Sequence, residues 1–168
     1  ILFIGILTDT VLSMARKEEL VGGFVDIHDA ATEIERICNA YNSMDIDCTV
    51  LLTHIGFEED KLLAARLDRS LGVDIIIGGH SHTYLEKPEE VNGILIAQAG
   101  TGTDQIGRFD LEIATDTNSI RSFAWQSIPI TDENCPRDID LEGILNTYKL
   151  ETDKKYSRLV SRLKRKLT

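Results

Sequence analysis

The feature that most constrains this chain is an alternation of short apolar runs with amphipathic segments over its first 78 residues. Residues 1–7 (ILFIGIL), 46–53 (IDCTVLLT) and 73–78 (VDIIIG) read as strands, the second of them β-branched and apolar enough to be buried on both faces. A polar loop through Gly22-Gly23 follows the first. From Asp29 the spacing predicts a helix, with Asp29 as its cap and Ile34, Ile37, Cys38 and Tyr41 on one face. A second helix is expected over 58–72, acidic at its start, with Leu63, Leu67 and Leu71 in line and Gly72 ending it. Strand, helix, strand, helix, strand implies a parallel sheet built from right-handed crossover units. After residue 90 the pattern changes. Residues 93–100, 106–114 and 120–128 read as strands with short links, and TDTNS (115–119) as the turn of an antiparallel hairpin. The polar stretch 129–140, with Pro129 and Pro136, reads as a linker. The expected fold class is α/β: a parallel βαβαβ unit, then antiparallel strands and a C-terminal helix.

Charge narrows the function classes. The net charge is −10, and nucleic-acid binding needs a basic face, so that class is excluded. No apolar run approaches the roughly 18–20 residues that cross a bilayer. The last twenty residues, 149–168, run against the trend at +6 and place Tyr156, Leu159, Val160, Leu163 and Leu167 at helical spacing. Such a helix docks its apolar stripe on its own domain or leads to another; a basic helix on a membrane surface or for a calmodulin-type partner is the competing reading. Cys38, Cys48 and Cys135 form no C-x-x-C pair and read as incidental thiols. The chain opens inside a strand without methionine, and is therefore expected to be a piece of a longer protein.

Three of the four histidines follow from the strand pattern. His54 comes directly after strand 46–53, and His80 and His82 after strand 73–78. If these strands are parallel neighbours, all three imidazoles emerge at the carboxyl edge of the sheet, where open α/β folds bind ligands. Neutral imidazole is the commonest protein metal ligand. His80 and His82, one residue apart, can serve one metal or two adjacent ones, and Gly78-Gly79 let the backbone bend sharply beside them. His28, in Asp26-x-His28, lies at a helix entrance and reads as a decoy beside the capping Asp29.

These residues resemble a known family. LLTHIGFEEDKLLA, VDIIIGGHSHTYLEKP and GILIAQAGTGTDQIGRFDLEI carry T-H-x-G, G-G-H-S-H and Q-A-G in the order of the 5'-nucleotidase branch of the calcineurin-like metallophosphoesterases, and the likeness covers about residues 1–130. The resemblance implies a four-layer α/β/β/α sandwich with two metals at the sheet edge. His54 and His80 would ligate one metal and His82 the other. The metals, taken from zinc, manganese, iron or cobalt, would clamp a phosphate ester and activate the water that attacks phosphorus.

The same resemblance defines what departs from it. The family's Asp-x-His, its bridging Asp in Gly-Asp and its Gly-Asn-His motif, which includes the catalytic histidine, have no counterpart here, so no catalytic residue is assigned to this chain. Residues 1–130 are thus expected to be the C-terminal half of a catalytic domain, and 131–168 a linker and amphipathic helix leading toward a nucleotidase domain. The expectation is a 5'-nucleotide phosphohydrolase serving nucleotide catabolism, inactive as this chain alone and prone to self-associate through an uncovered sheet face. The alternative is a non-catalytic module that binds a metal or a partner protein. An amidohydrolase, which also uses His-x-His, needs histidines beyond His82, and there are none. Among substrates, 5'-nucleotides, UDP-sugars and cyclic nucleotides stay open. Relatives are often exported or surface-bound, which fits a secreted, periplasmic or cell-surface parent.

Overall fold

In the computed structural model, residues 1–7 and 29–164 are described, with side chains up to residue 159. The expected loop through Gly22-Gly23 lies outside the described residues, as do Asp26 and His28. The chain divides into two compact units, Ile1–Ile130 and Thr131–Thr168.

The first unit is built on a five-stranded sheet. β1 (Leu2–Leu7), β2 (Thr49–His54), β3 (Val73–Ile77) and β5 (Ile94–Ala97) run parallel, and β4 (Glu89–Val91) closes the order β1-β2-β3-β5-β4 as an antiparallel edge. The helices expected between the first three strands are α1 (Ala30–Tyr41) and α2 (Phe57–Arg66). Asp29 caps α1 as expected, accepting the Ala31 N–H at 3.2 Å, and its carboxylate also receives Arg66 from the end of α2 at 2.9 Å. Ile34 and Cys38 on α1, and Leu63 and Ala64 on α2, bury against Ile4, Ile6, Leu51, Ile76 and Ile96 of the sheet. Unbroken apolar strands need cover on two sides. The other side is covered by a hairpin of β6 (Gln105–Ala114) and β7 (Ser119–Pro129), which forms its own two-stranded sheet. Its alternation turns Phe109, Leu111 and Ile113 onto Cys48, Val50, Ile75 and Leu95. Helices, sheet and hairpin make three stacked layers, α/β/β.

Several expected boundaries move. The helix expected over 58–72 stops at Arg66: Leu67 is extended, and the Asp68 carboxylate takes the Ser70 N–H at 2.8 Å to start a separate 3-10 turn, Arg69–Leu71. The strand expected from 46 begins at Thr49, whose N–H goes to the Asp74 carboxylate at 2.8 Å. Nor is it buried on both faces throughout. The hairpin covers only its amino half, leaving Leu52 43% and Ile77 of β3 44% exposed. The strand expected over 93–100 is Ile94–Ala97, and β4 before it was not anticipated. Asn92 (φ 55°) and Gly93 (φ 81°) form the tight turn joining them.

In the second unit, residues 131–138 lead into α3 (Ile139–Lys164), which Asp138 caps by accepting the Leu141 N–H at 3.0 Å. Tyr156 and Leu159 of the expected apolar stripe lie on this helix. The side chains of Val160 and Leu163, and all of Leu167, lie outside the description. No helix among the described residues is long and apolar enough to cross a membrane.

Asn92 holds more than its turn. Its amide donates to the Ala64 and Leu67 carbonyls at 3.1 and 2.7 Å, partnering the C-terminal end of α2, and its carbonyl accepts from Arg69 at 2.9 Å. Replacing it with alanine removes these contacts and leaves a Cβ-bearing residue at positive φ. Asn92→Ala is expected to lower the unfolding free energy by about 2–3 kcal/mol in urea titration, and Asn92→Gly by less. Cysteine reactivity offers a second check. Cys48 is buried, and its thiol is pushed up to about 11 by burial and by the neighbouring Asp74, whereas Cys135 is exposed. At pH 8, iodoacetamide should alkylate Cys135 in the folded chain and reach Cys48 only after unfolding, as read by mass spectrometry.

Candidate metal centre

β2 and β3 are parallel neighbours, with Leu52 opposite Ile77, so both strands deliver their next residues to one edge. His54 is the last residue of β2 rather than the first beyond it. His80 lies in the loop just past β3. The two rings meet edge to face, with centroids 5.1 Å apart and planes inclined by 72°. His54 is half-buried and His80 exposed. His82 is exposed in the same loop, and among the described residues no group of three or more histidines, cysteines or carboxylates is gathered closely enough to hold a metal ion. The structure therefore brings together two of the three histidines singled out from sequence. His28 lies outside the described residues.

The loop between β3 and Tyr84 is shaped by close approaches. A Cβ at Gly78 would collide with the Asp60 carboxylate and lie 2.7 Å from Gln98 Nε2, and one at Gly79 would lie 3.1 Å from His54 Nδ1. Both histidines of the loop have left-handed backbone, φ 78° at His80 and 55° at His82, a conformation that disfavours side chains with a Cβ.

Beneath the loop is a buried polar network. Asp60, in the first turn of α2, is fully buried and accepts from Thr53 Oγ1 at 2.6 Å and Gln98 Nε2 at 3.2 Å. Burial pushes its carboxyl up from the usual range, and these two hydrogen bonds oppose the shift. Gln98, 2% exposed, also donates from Nε2 to the Gly79 carbonyl at 3.3 Å. Its Oε1 accepts from the Ser81 hydroxyl and the Thr83 N–H, both at 3.1 Å. Ser81 Oγ in turn accepts the Phe57 N–H at 3.0 Å, satisfying an open donor at the start of α2. Asp60, Gln98 and Ser81 were not singled out from sequence. Gln98 and Ser81 sit inside the quoted motifs, whereas Asp60 read only as one acidic residue of a helix start.

As a test of fit, the donor chemistry suits a divalent transition-metal ion: two imidazoles converge at an open, solvent-facing edge. In number they fall short of a complete protein ligand set, so from the described residues no chemical step is derived through a metal.

Comparison with known proteins follows this geometry. No family model matches the chain. An apyrase of Aedes aegypti is 34% identical over 86 residues, covering 51% of this chain and 14% of the apyrase. The uncharacterized metallophosphoesterase YunD of Bacillus subtilis (strain 168) is 28% identical over 117 residues, covering 70% of this chain and 24% of YunD. The crystal structure of a 5'-nucleotidase precursor from Thermus thermophilus superposes with a TM-score of 0.69 at 24% identity, covering 79% of this chain and 29% of that one. The chain thus spans about a quarter or less of the curated relatives it matches. Over the part these matches cover, the chain is similar to 5'-nucleotidase-type metallophosphoesterases in sequence and in fold.

Proposed function

We propose that this chain supplies the histidine side of a metal-dependent phosphoesterase centre acting on 5'-nucleotides. The observation that carries the reading is the convergence of His54 and His80 at the carboxyl edge of the parallel sheet, above a buried and fully hydrogen-bonded support. The proposed ligands are His54 and His80 for one divalent ion and His82 for a second; zinc, manganese, iron or cobalt suits such donors. Bound there, the ions would supply Lewis acidity toward a phosphate ester and activation of water. The chain's own contribution is to present imidazoles at fixed positions. None of its residues is assigned as general acid, base or nucleophile. The names of the relatives, apyrase and 5'-nucleotidase, support a nucleotide phosphate ester as substrate.

The shortage of ligands among the described residues supports a further part of the proposal: this chain alone binds metal weakly and does not turn over substrate. It also favours the second reading, a metal-binding module without catalysis, to the extent that the two coincide for the isolated chain. With Mn²⁺ or Co²⁺, the 168-residue chain is expected to release no phosphate from 5'-AMP above a chelated control. A longer protein carrying the chain is expected to do so, and to lose the activity in His80→Ala. Turnover by the chain alone, abolished in His80→Ala, would overturn the inactivity. A longer protein unaffected by His80→Ala would overturn the ligand assignment.

Self-association belongs to the same proposal. β1 is an uncharged edge strand, and Phe3, Leu7, Leu52 and Ile77 are exposed on the sheet face beside the histidines. A second copy of this chain is the expected occupant. Sedimentation velocity should show concentration-dependent association that Leu52→Glu reduces; a monomer at every concentration would overturn it.

A further inference from the structure

We infer that Gln98 is the positioning residue of this edge, a buried carboxamide that sets the backbone of the histidine loop by holding Gly79, Ser81 and Thr83. The alternation is the core of the argument. Gln98 contacts the Gly79 carbonyl, the Ser81 hydroxyl and the Thr83 N–H, the three residues that bracket and separate His80 and His82. Both histidines have left-handed backbone, which costs roughly 1–2 kcal/mol per residue. Part of that cost is met inside the loop, where the Ser81 N–H donates to the Gly79 carbonyl across His80 at 3.0 Å. From outside the loop the Phe57 and Gly100 N–H groups each hold one residue, Ser81 and Thr83, whereas the Gln98 side chain holds Gly79, Ser81 and Thr83 together.

The amide can sit only one way round. Oε1 faces two donors, and Nε2 faces two acceptors, the Gly79 carbonyl and Asp60 Oδ2. Ser81 Oγ accepts the Phe57 N–H and lies 2.9 Å from Thr83 Oγ1; with Thr83 donating there, the Ser81 proton goes to Gln98 Oε1. A flipped amide would set donor against donor inside a buried site, where an unmet polar group costs about 1–3 kcal/mol. The network also reaches the other histidine. Asp60, which receives Gln98, receives Thr53 as well, the residue next to His54. His54 and His80 thus hang from two ends of one hydrogen-bonded chain: Thr53, Asp60, Gln98, then Gly79 and Ser81. Gln98 is not assigned as a ligand; it acts through the loop.

The metal arm of the test rests on the function proposed above, and the geometric arm does not. In the 168-residue chain with labelled histidines, NMR should show a cross-peak between the His54 and His80 rings. Gln98→Glu keeps the shape but replaces the Nε2 donor with an oxygen facing Asp60 and the Gly79 carbonyl. It is expected to abolish that cross-peak while the methyl resonances of Leu51, Ile76 and Ile96 stay in place. Co²⁺ affinity should fall roughly 10- to 100-fold, the usual effect of removing a residue that orients a ligand. A general loss of stability would move the core methyls as well. An intact cross-peak in Gln98→Glu would overturn the inference, whatever happens to Co²⁺ affinity. If Gln98→Glu does not fold, Ser81→Ala, an exposed substitution that removes one of the four Gln98 contacts together with the acceptor of the Phe57 N–H, takes its place: a weakened cross-peak supports the inference and an unchanged one overturns it. A native chain that shows the cross-peak but binds no Co²⁺ would overturn the proposed metal role and leave the positioning role to be judged on the cross-peak alone.

Discussion

A hydrogen bond of 3.2 Å between Gln98 Nε2 and Asp60 Oδ2 joins residues 38 apart in sequence, and the carboxyl edge of the sheet is organised around it. A carboxylate with no solvent exposure is costly unless its oxygens are met by donors. Thr53 and Gln98 meet one oxygen each, so neither can be exchanged for an apolar residue without leaving part of the carboxylate unpaired. The same low-dielectric setting that makes the unpaired state expensive strengthens the bonds that are made. The end of β2, the first turn of α2 and the loop after β3 are thereby locked to one another, although no two of them are adjacent in sequence beyond the β2–α2 link.

The sheet is finished differently at its two ends. At the amino edge, Cys48 and Thr49 are buried, Asp74 takes the Thr49 N–H, and the β6–β7 hairpin closes the face over Val50, Ile75 and Leu95. The hairpin is itself pinned near the histidine loop, where Trp125 donates to the Leu85 carbonyl at 3.3 Å and packs on Phe109. Toward the carboxyl edge the cover ends, and Leu52 and Ile77 stand half-exposed beside His54. Apolar strands of this kind gain their stability from burial on both faces, so the open half is where a further layer has most to contribute.

How much was legible depended on whether the signal was local. The β1–α1–β2–α2–β3 order followed from hydrophobic period, and the Asp29 cap from residue type. The β6–β7 hairpin was visible because two strand-like runs flank the turn residues TDTNS (115–119). β4 was missed although Asn92-Gly93 is a strong turn signal, because three residues containing two glutamates do not read as a strand. The long form of α2 failed at Asp68, whose side chain competes for the helix backbone. Glycines 78 and 79 could be read as a place of close approach, but not that the group approaching Gly78 is a buried aspartate from the previous helix.

The sequence by itself determined the parallel α/β architecture, the likeness of its motifs to those of the 5'-nucleotidase branch and the strand ends that carry the histidines, because each is written in periodicity or in contiguous residues. Tertiary structure alone decided that His54 and His80 meet while His82 joins no ligand group among the described residues, and that Asp60 and Gln98 are buried partners. The physical reason is that polar side chains signal their burial through partners, and those partners are brought together only when strands and loops 15 to 38 residues apart are packed.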